Sequence, residues 1–128
     1  MSTDPSSVAL SYLAAFATAD PDAIASHVAA DFRNEHTAAL GSSCIGATEY
    51  RRRLPGFLAD FADLSYDVVG VVADDERCAV RYVLRARWQG TTPVEVPGCM
   101  WFHVQLGRIT HRIDHWDSQV FLRQVDES

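Results

Sequence analysis

From Leu64 to Trp116 the chain alternates with a period of two, and it keeps one parity from segment to segment. In 77–88 the even positions Cys78, Val80, Tyr82, Leu84, Ala86 and Trp88 oppose Arg81, Arg85 and Arg87. In 94–104 the even positions Val94, Val96, Gly98, Met100, Phe102 and Val104 oppose Glu95, Trp101 and His103. Successive side chains of a strand point to opposite faces, so even numbers face the covered side of an antiparallel sheet. The stretch Gly107–Gln124, GRITHRIDHWDSQVFLRQ, carries that parity on, and it turns Arg112, Asp114 and Trp116 inward. A guanidinium and a carboxylate then stand where neighbouring strands put apolar groups. Buried charge is costly unless it is paired or used.

Parity also fixes an expected register. Even must face even across the last hairpin, which calls for a three-residue loop Gln105-Leu106-Gly107 with Gly107 left-handed. Gly98 then lies opposite Asp114, Met100 opposite Arg112 and Phe102 opposite Thr110, and a glycine facing a carboxylate leaves room for another group. On the first long strand, from Leu64, Tyr66, Val68 and Val72 share a face, and Asp74-Asp75 marks the turn. The outer face receives Arg81, Val83, Arg85 and Trp101. It also receives His103, Ile109, His111, Ile113 and His115, a mixture that suits a dimer surface.

Before residue 64 the spacing is helical. Asp4-Pro5 is an N-cap followed by proline in the first turn, and Val8, Tyr12, Ala15, Phe16 and Ala19 give an amphipathic helix to about Thr18. Asp20-Pro21 repeats the signal for a short helix to about Ala30. Phe32–His36 reads as a short strand and Thr37–Ile45 as a loop over an opening. A third helix runs from Ala47 to about Phe61, with Pro55 expected to kink it. The result is one α+β domain over residues 1–128. Three N-terminal helices pack on a strongly curved antiparallel sheet and enclose a conical pocket.

Composition narrows the function. The 128 residues are 48% hydrophobic and 22% charged with a net charge of -6, and Arg51, Arg52 and Arg53 are the only basic run. That excludes a nucleic-acid binder and leaves the three arginines as a solvated helix face. No stretch approaches the roughly 20 apolar residues of a membrane span. The acidic start has no charged-then-apolar signal, and Cys44, Cys78 and Cys99 form no CxxC pair, so a reduced cytoplasmic location is expected. His103, His111 and His115 share the outer parity. His111 and His115 are separated by roughly 13 Å on one strand, too far to share an ion.

The segments Ser11–Gly41 (SYLAAFATADPDAIASHVAADFRNEHTAALG) and Gly107–Gln124 carry a resemblance. The order helix, helix, strand, helix, sheet is similar to the nuclear transport factor 2-like superfamily, and within it to the SnoaL-like polyketide cyclases. The resemblance implies an acid/base enzyme that closes a ring by intramolecular aldol reaction without metal or cofactor. Its last-strand aspartate falls on Asp114, and its pocket asparagine falls on Asn34. Its penultimate-strand histidine is Met100 here, and His36 could supply an imidazole from another side. Two relatives resemble the chain less. Of the ketosteroid isomerase residues, Tyr12 matches the tyrosine, while the two aspartates fall on His36 and Gly98. The limonene-epoxide-hydrolase pattern shares Arg112-x-Asp114, but no second inward carboxylate is evident.

Two functions follow as expectations. The first is a cofactor-independent enzyme in which Asp114 moves a proton on a small apolar carbonyl compound. Tyr12, Asn34 and His36 would face a developing enolate oxygen, Arg112 would tune the carboxylate, and Tyr82, Trp88, Met100, Phe102 and Trp116 would form the walls. The second is a catalytically silent module of the same fold that binds a small molecule or pairs as a homodimer through the outer sheet face.

Overall fold

The computed structural model describes residues 4–126. The helices are α1 (Pro5–Ala15, followed by a short 3₁₀ turn Phe16–Thr18), α2 (Pro21–Ala25), α3 (Ala47–Asp60) and α4 (Ser118–Asp126). The strands are β1 (Val28–His36), β2 (Cys44–Ile45), β3 (Phe61–Asp74), β4 (Arg77–Trp88), β5 (Thr92–Gln105) and β6 (Arg108–Trp116). They form a six-stranded sheet in the order β2-β1-β6-β5-β4-β3. The sheet is antiparallel except for the β1–β6 ladder, which is parallel. This is the curved α+β cone expected from the sequence.

Both helix starts follow from local chemistry. The Asp4 carboxylate accepts from the Ser7 backbone N–H at 3.1 Å, and Asp20 accepts from that of Asp22 at 3.0 Å. Each satisfies an N–H that the first turn leaves without a partner. Helix α2 is shorter than expected, and Val28–Ala30 belongs to β1 instead. Helix α3 continues through Pro55. The loop after β1 contains the short strand β2, and the tail after Trp116 is helical, with the Asp117 carboxylate accepting from the Gln119 N–H at 2.9 Å.

Even parity holds through β4 and β5, where Cys78, Val80, Tyr82, Leu84, Ala86, Val94, Val96, Met100, Phe102 and Val104 are all buried. Two bulges alter the expected registers. In β3 the pairing shifts between Val68 and Gly70, so Val71 packs on the core and Val72 is 71% exposed. One extra residue reverses which parity faces inward beyond it. Val68 pairs with Tyr82 but lies on the edge strand and is exposed.

The last hairpin turns on two residues rather than three. Leu106 and Gly107 have φ of 53° and 75°, and Gln105 pairs with Arg108. Such turns match the right-handed twist of the flanking strands. A bulge between His103 and Val104 of β5 opposes three β6 residues and restores the parity, with the Thr110 hydroxyl donating to the His103 carbonyl at 3.2 Å. Ile109 is therefore fully buried opposite Val104, not on the outer face. Met100 pairs with Asp114, Phe102 with Arg112, and Gly98 with Trp116, two residues away from the expected register.

Leu106 is 98% exposed in a left-handed conformation that a branched side chain opposes. Leu106→Asn is expected to raise stability by about 1 kcal/mol, since asparagine tolerates that conformation. Urea denaturation would measure it as a higher midpoint at unchanged slope.

Candidate functional site

The parallel ladder between β1 and β6 assembles the site. It sets Asn34 beside Arg112 and His36 beside Asp114. Arg112 and Asp114 are each 4% exposed, so the inward charges are truly buried. The guanidinium is satisfied on several sides. Nη1 donates to Asn34 Oδ1 at 2.8 Å, Nη2 to Asp114 Oδ2 at 3.2 Å and Nε to Met100 Sδ at 3.3 Å. Its carbon lies 5.7 Å from the Tyr12 ring centroid, where the negative ring face favours a cation.

The other carboxylate oxygen, Asp114 Oδ1, accepts from the Tyr82 hydroxyl at 2.5 Å. Gly98 permits this. A Cβ there would stand 2.3 Å from Tyr82 Oη and 2.9 Å from the His115 carbonyl oxygen. The room that the glycine leaves is thus taken by Tyr82, reaching across from β4. Burial raises the Asp114 pKa above the ordinary aspartate value, against the opposing pull of Arg112 and the Tyr82 hydrogen bond. Burial, then the Asp114 charge, also pushes the Tyr82 phenol up, so it remains a donor.

These groups end a cavity of about 460 Å³. Of the residues expected there, Asn34, His36, Tyr82, Trp88, Arg112, Asp114 and Trp116 line it. Tyr12, Met100 and Phe102 do not. They are fully buried behind the wall, where Met100 and Tyr12 support the guanidinium and Phe102 stacks edge-on against Tyr12. The Tyr12 hydroxyl is engaged with that of Tyr50. Parity and helical spacing say which face is inside, but not whether a side chain ends in the cavity or in the packing around it.

The cavity also has walls that the sequence had not assigned to it: Phe16, Phe57, Phe61, Tyr66 and Phe121. Phe121 of α4 packs on Trp88 and Phe61, with ring centroids at 5.0 and 5.7 Å. The helical spacing of Phe57 and Phe61 was the available signal for two of them. Asp60 brings a second carboxylate to the lining, but it is exposed at the end of α3 and far in kind from the dry environment of Asp114.

On the outer face His103 pairs with His111 across the β5–β6 ladder, and each faces its own glutamate, Glu76 at 3.3 Å and Glu35 at 3.0 Å. Among the described residues no group of three His, Cys, Asp or Glu is placed to hold a metal ion. No helix among them is long and apolar enough to cross a membrane.

A profile of the SnoaL-like domain matches residues 9–112. The chain belongs to the SnoaL-like family. The matched span includes Asn34, His36 and Arg112 and ends two residues before Asp114. Solved structures share the SnoaL-like fold at low identity. One is a protein of ketosteroid isomerase-like fold from Catenulispora acidiphila, in complex with trimethylamine. Its TM-score is 0.83 at 19% identity over 91% of this chain and 90% of that one. A protein assigned as a polyketide cyclase from Xanthomonas campestris has a TM-score of 0.81 at 24% identity over 97% and 99%. An epoxide hydrolase of the limonene type from M. tuberculosis has a TM-score of 0.79 at 19% identity over 94% and 90%. No curated protein matches the chain.

The buried pair at the end of the SnoaL-like cavity makes a sharp energetic prediction. Arg112→Met leaves Asp114 buried without its counter-charge, which is expected to cost about 3–5 kcal/mol. The Asp114 pKa should rise further in the same variant. Urea denaturation and carboxyl NMR measure the two effects separately.

Proposed function

We propose that this protein is an acid/base enzyme acting on a small apolar carbonyl compound, with Asp114 as the group that moves the proton. One observation carries the reading: a carboxylate whose proton affinity is raised by burial lines an aromatic-walled cavity. A general base works best when its pKa is brought up towards the working pH. A carboxylate offers about four acceptor sites, so the bonds from Tyr82 and Arg112 leave lone pairs for a substrate proton.

The chemistry balances on those parts. Asp114 takes a proton from the carbon beside the carbonyl. The C–H electron pair becomes a C=C bond, and the carbonyl π pair moves to oxygen as an enolate. Where the substrate also carries a β,γ C=C bond, the enolate extends over it, and returning the proton to the γ-carbon as the carbonyl re-forms completes an isomerisation. In the ring-closing version the enolate carbon attacks a second carbonyl carbon of the same molecule, and the new alkoxide takes the proton back from Asp114.

A second reading rests on a different observation. Both Asp114 oxygens are engaged, and among the described residues no buried side-chain nitrogen or oxygen lacks a partner. A self-satisfied ion pair suits a module that binds an apolar ligand without turning it over. Deuterium exchange into the α-carbons of 2-tetralone separates the readings. The wild type should accelerate exchange over buffer, with a rate that rises with pH through an apparent pKa above the ordinary aspartate value of about 3.9. Asp114→Asn should bind the ketone and lose about 10²–10⁴ of that acceleration. A wild type that binds 2-tetralone and exchanges it no faster than buffer supports the binding module.

We also propose that the outer sheet face pairs with a second copy of the chain. Val83, Cys99, Trp101 and Ile113 form a half-buried row there, among ion pairs such as Arg85–Glu95. Trp101→Glu should convert a dimer to a monomer in light scattering. A wild type that is monomeric at high micromolar concentration would rule the pairing out.

A further inference from the structure

His36 stands at the tip of β1, beside Asp114 on the parallel ladder, and it lines the cavity. Its Nδ1 lies 3.7 Å from Asp114 Oδ2, which a charge count would score as an ion pair. The indole N–H of Trp116 decides otherwise. Trp116 Nε1 is 3.1 Å from the same Nδ1. An indole nitrogen only donates, so Nδ1 must present its lone pair, and a neutral imidazole then carries its proton on Nε2. His36 has no proton on the side of Asp114.

Nε2 has no hydrogen-bond partner among the described residues, and none of their buried side-chain nitrogens lacks one, so Nε2 is accessible. Three of its polar neighbours at this end are already engaged. The Tyr82 hydroxyl donates to Asp114, the Trp116 N–H to His36, and the Asn34 carbonyl oxygen accepts from Arg112. The imidazole is also held in place. A Cβ on Gly41 would lie 2.2 Å from His36 Cβ, so the loop after β1 packs directly on the stem of the side chain. The His36 backbone N–H donates to Ser43 Oγ at 3.1 Å. Burial and the nearby Arg112 charge also lower the His36 pKa to about 3, which keeps the ring neutral at working pH.

We infer that His36 is the hydrogen-bond donor for the ligand's carbonyl oxygen, presenting a neutral Nε2–H that Trp116 fixes through Nδ1. The assignment rests on the carbonyl-site reading and gives the cavity two unlike ends of one reaction. Asp114 takes the proton from carbon, and His36 meets the charge that appears on oxygen. A neutral donor suits that role, because it stabilises an enolate without competing with Asp114 for the proton.

Nitrogen-15 NMR of the full chain tests the tautomer without any ligand. The His36 ring should show the Nε2–H pattern unchanged from about pH 5 to pH 8, since its pKa is held well below the usual 6.5. Trp116→Phe should release Nδ1 and give a mixture. An Nδ1–H ring in the wild type overturns the assignment. Calorimetry with 2-tetralone and with tetralin, the same bicycle without oxygen, tests the contact. His36→Leu should weaken 2-tetralone about 5–10-fold, the worth of one hydrogen bond, and leave tetralin unchanged. His36→Gln, which keeps an N–H near the Nε2 position, should recover most of the loss. Equal losses for both compounds, or a ketone-specific loss in Tyr66→Phe but not in His36→Leu, would overturn the assignment and leave the carbonyl site standing. Failure of both compounds to enter the wild type would overturn the carbonyl-site reading itself, with the tautomer unaffected.

Discussion

A buried guanidinium is the constraint on which the rest of this structure depends. Arg112 cannot shed its charge and cannot be left unpaired. Its surroundings read as a set of answers to that demand: a carboxylate two residues along the same strand, an amide oxygen on β1, a thioether on β5 and a tyrosine face on α1. Four separate elements converge on one side chain. The β1–β6 ladder must be parallel and in this register for Asn34 to reach it, so the least common pairing in the sheet is the one that the charge requires.

Asp114 inherits its character from the same arrangement. A fully hydrated aspartate would be ionised and weakly basic, and one bound tightly to arginine in the open would be weaker still. Here burial outweighs both Arg112 and Tyr82, and the carboxyl holds its proton more firmly than usual. Arg112 then limits how far that shift goes. Without a counter-charge the group would stay protonated and could not act as a base. Gly98 completes the balance, because only a missing side chain lets the Tyr82 hydroxyl reach Oδ1.

Much of this was legible in the sequence, for a physical reason. Side-chain alternation is a strict property of strands, so Arg112, Asp114 and Trp116 could be placed inward from the parity of Val80, Tyr82 and Met100 alone. What the alternation cannot carry is a change of phase. The bulges near Val69 and Thr110 each add a residue without a sequence mark, and they moved Val72 outward and Ile109 inward. The exchange of Gly98 for Met100 opposite Asp114 comes from the Thr110 bulge and the shorter turn together. Tyr12 was read correctly as facing inward, but its hydroxyl meets Tyr50, not the cavity. The Trp116–His36 bond joins residues 80 positions apart and depends on the register of a parallel ladder. No local pattern announces it.

The polar end of the cavity differs from an ordinary buried ion pair in one respect. A purely structural pair is best when every donor and acceptor near it is consumed, since an accessible polar group gains nothing from a neighbouring apolar wall. Each polar atom of the Arg112–Asp114 pair has at least one protein partner, and Nε2 of His36 has none among the described residues. Its ring is fixed by an indole bond and a glycine contact, yet its second nitrogen has no partner among the described residues, on a side chain that lines the same cavity as Trp88, Tyr66 and Phe61. Fixing a side chain while withholding its partner has a cost that core packing does not explain. A ligand oxygen meeting that nitrogen would supply the missing half of the bond, which is why the spare valence counts towards use of the site rather than towards its mere stability.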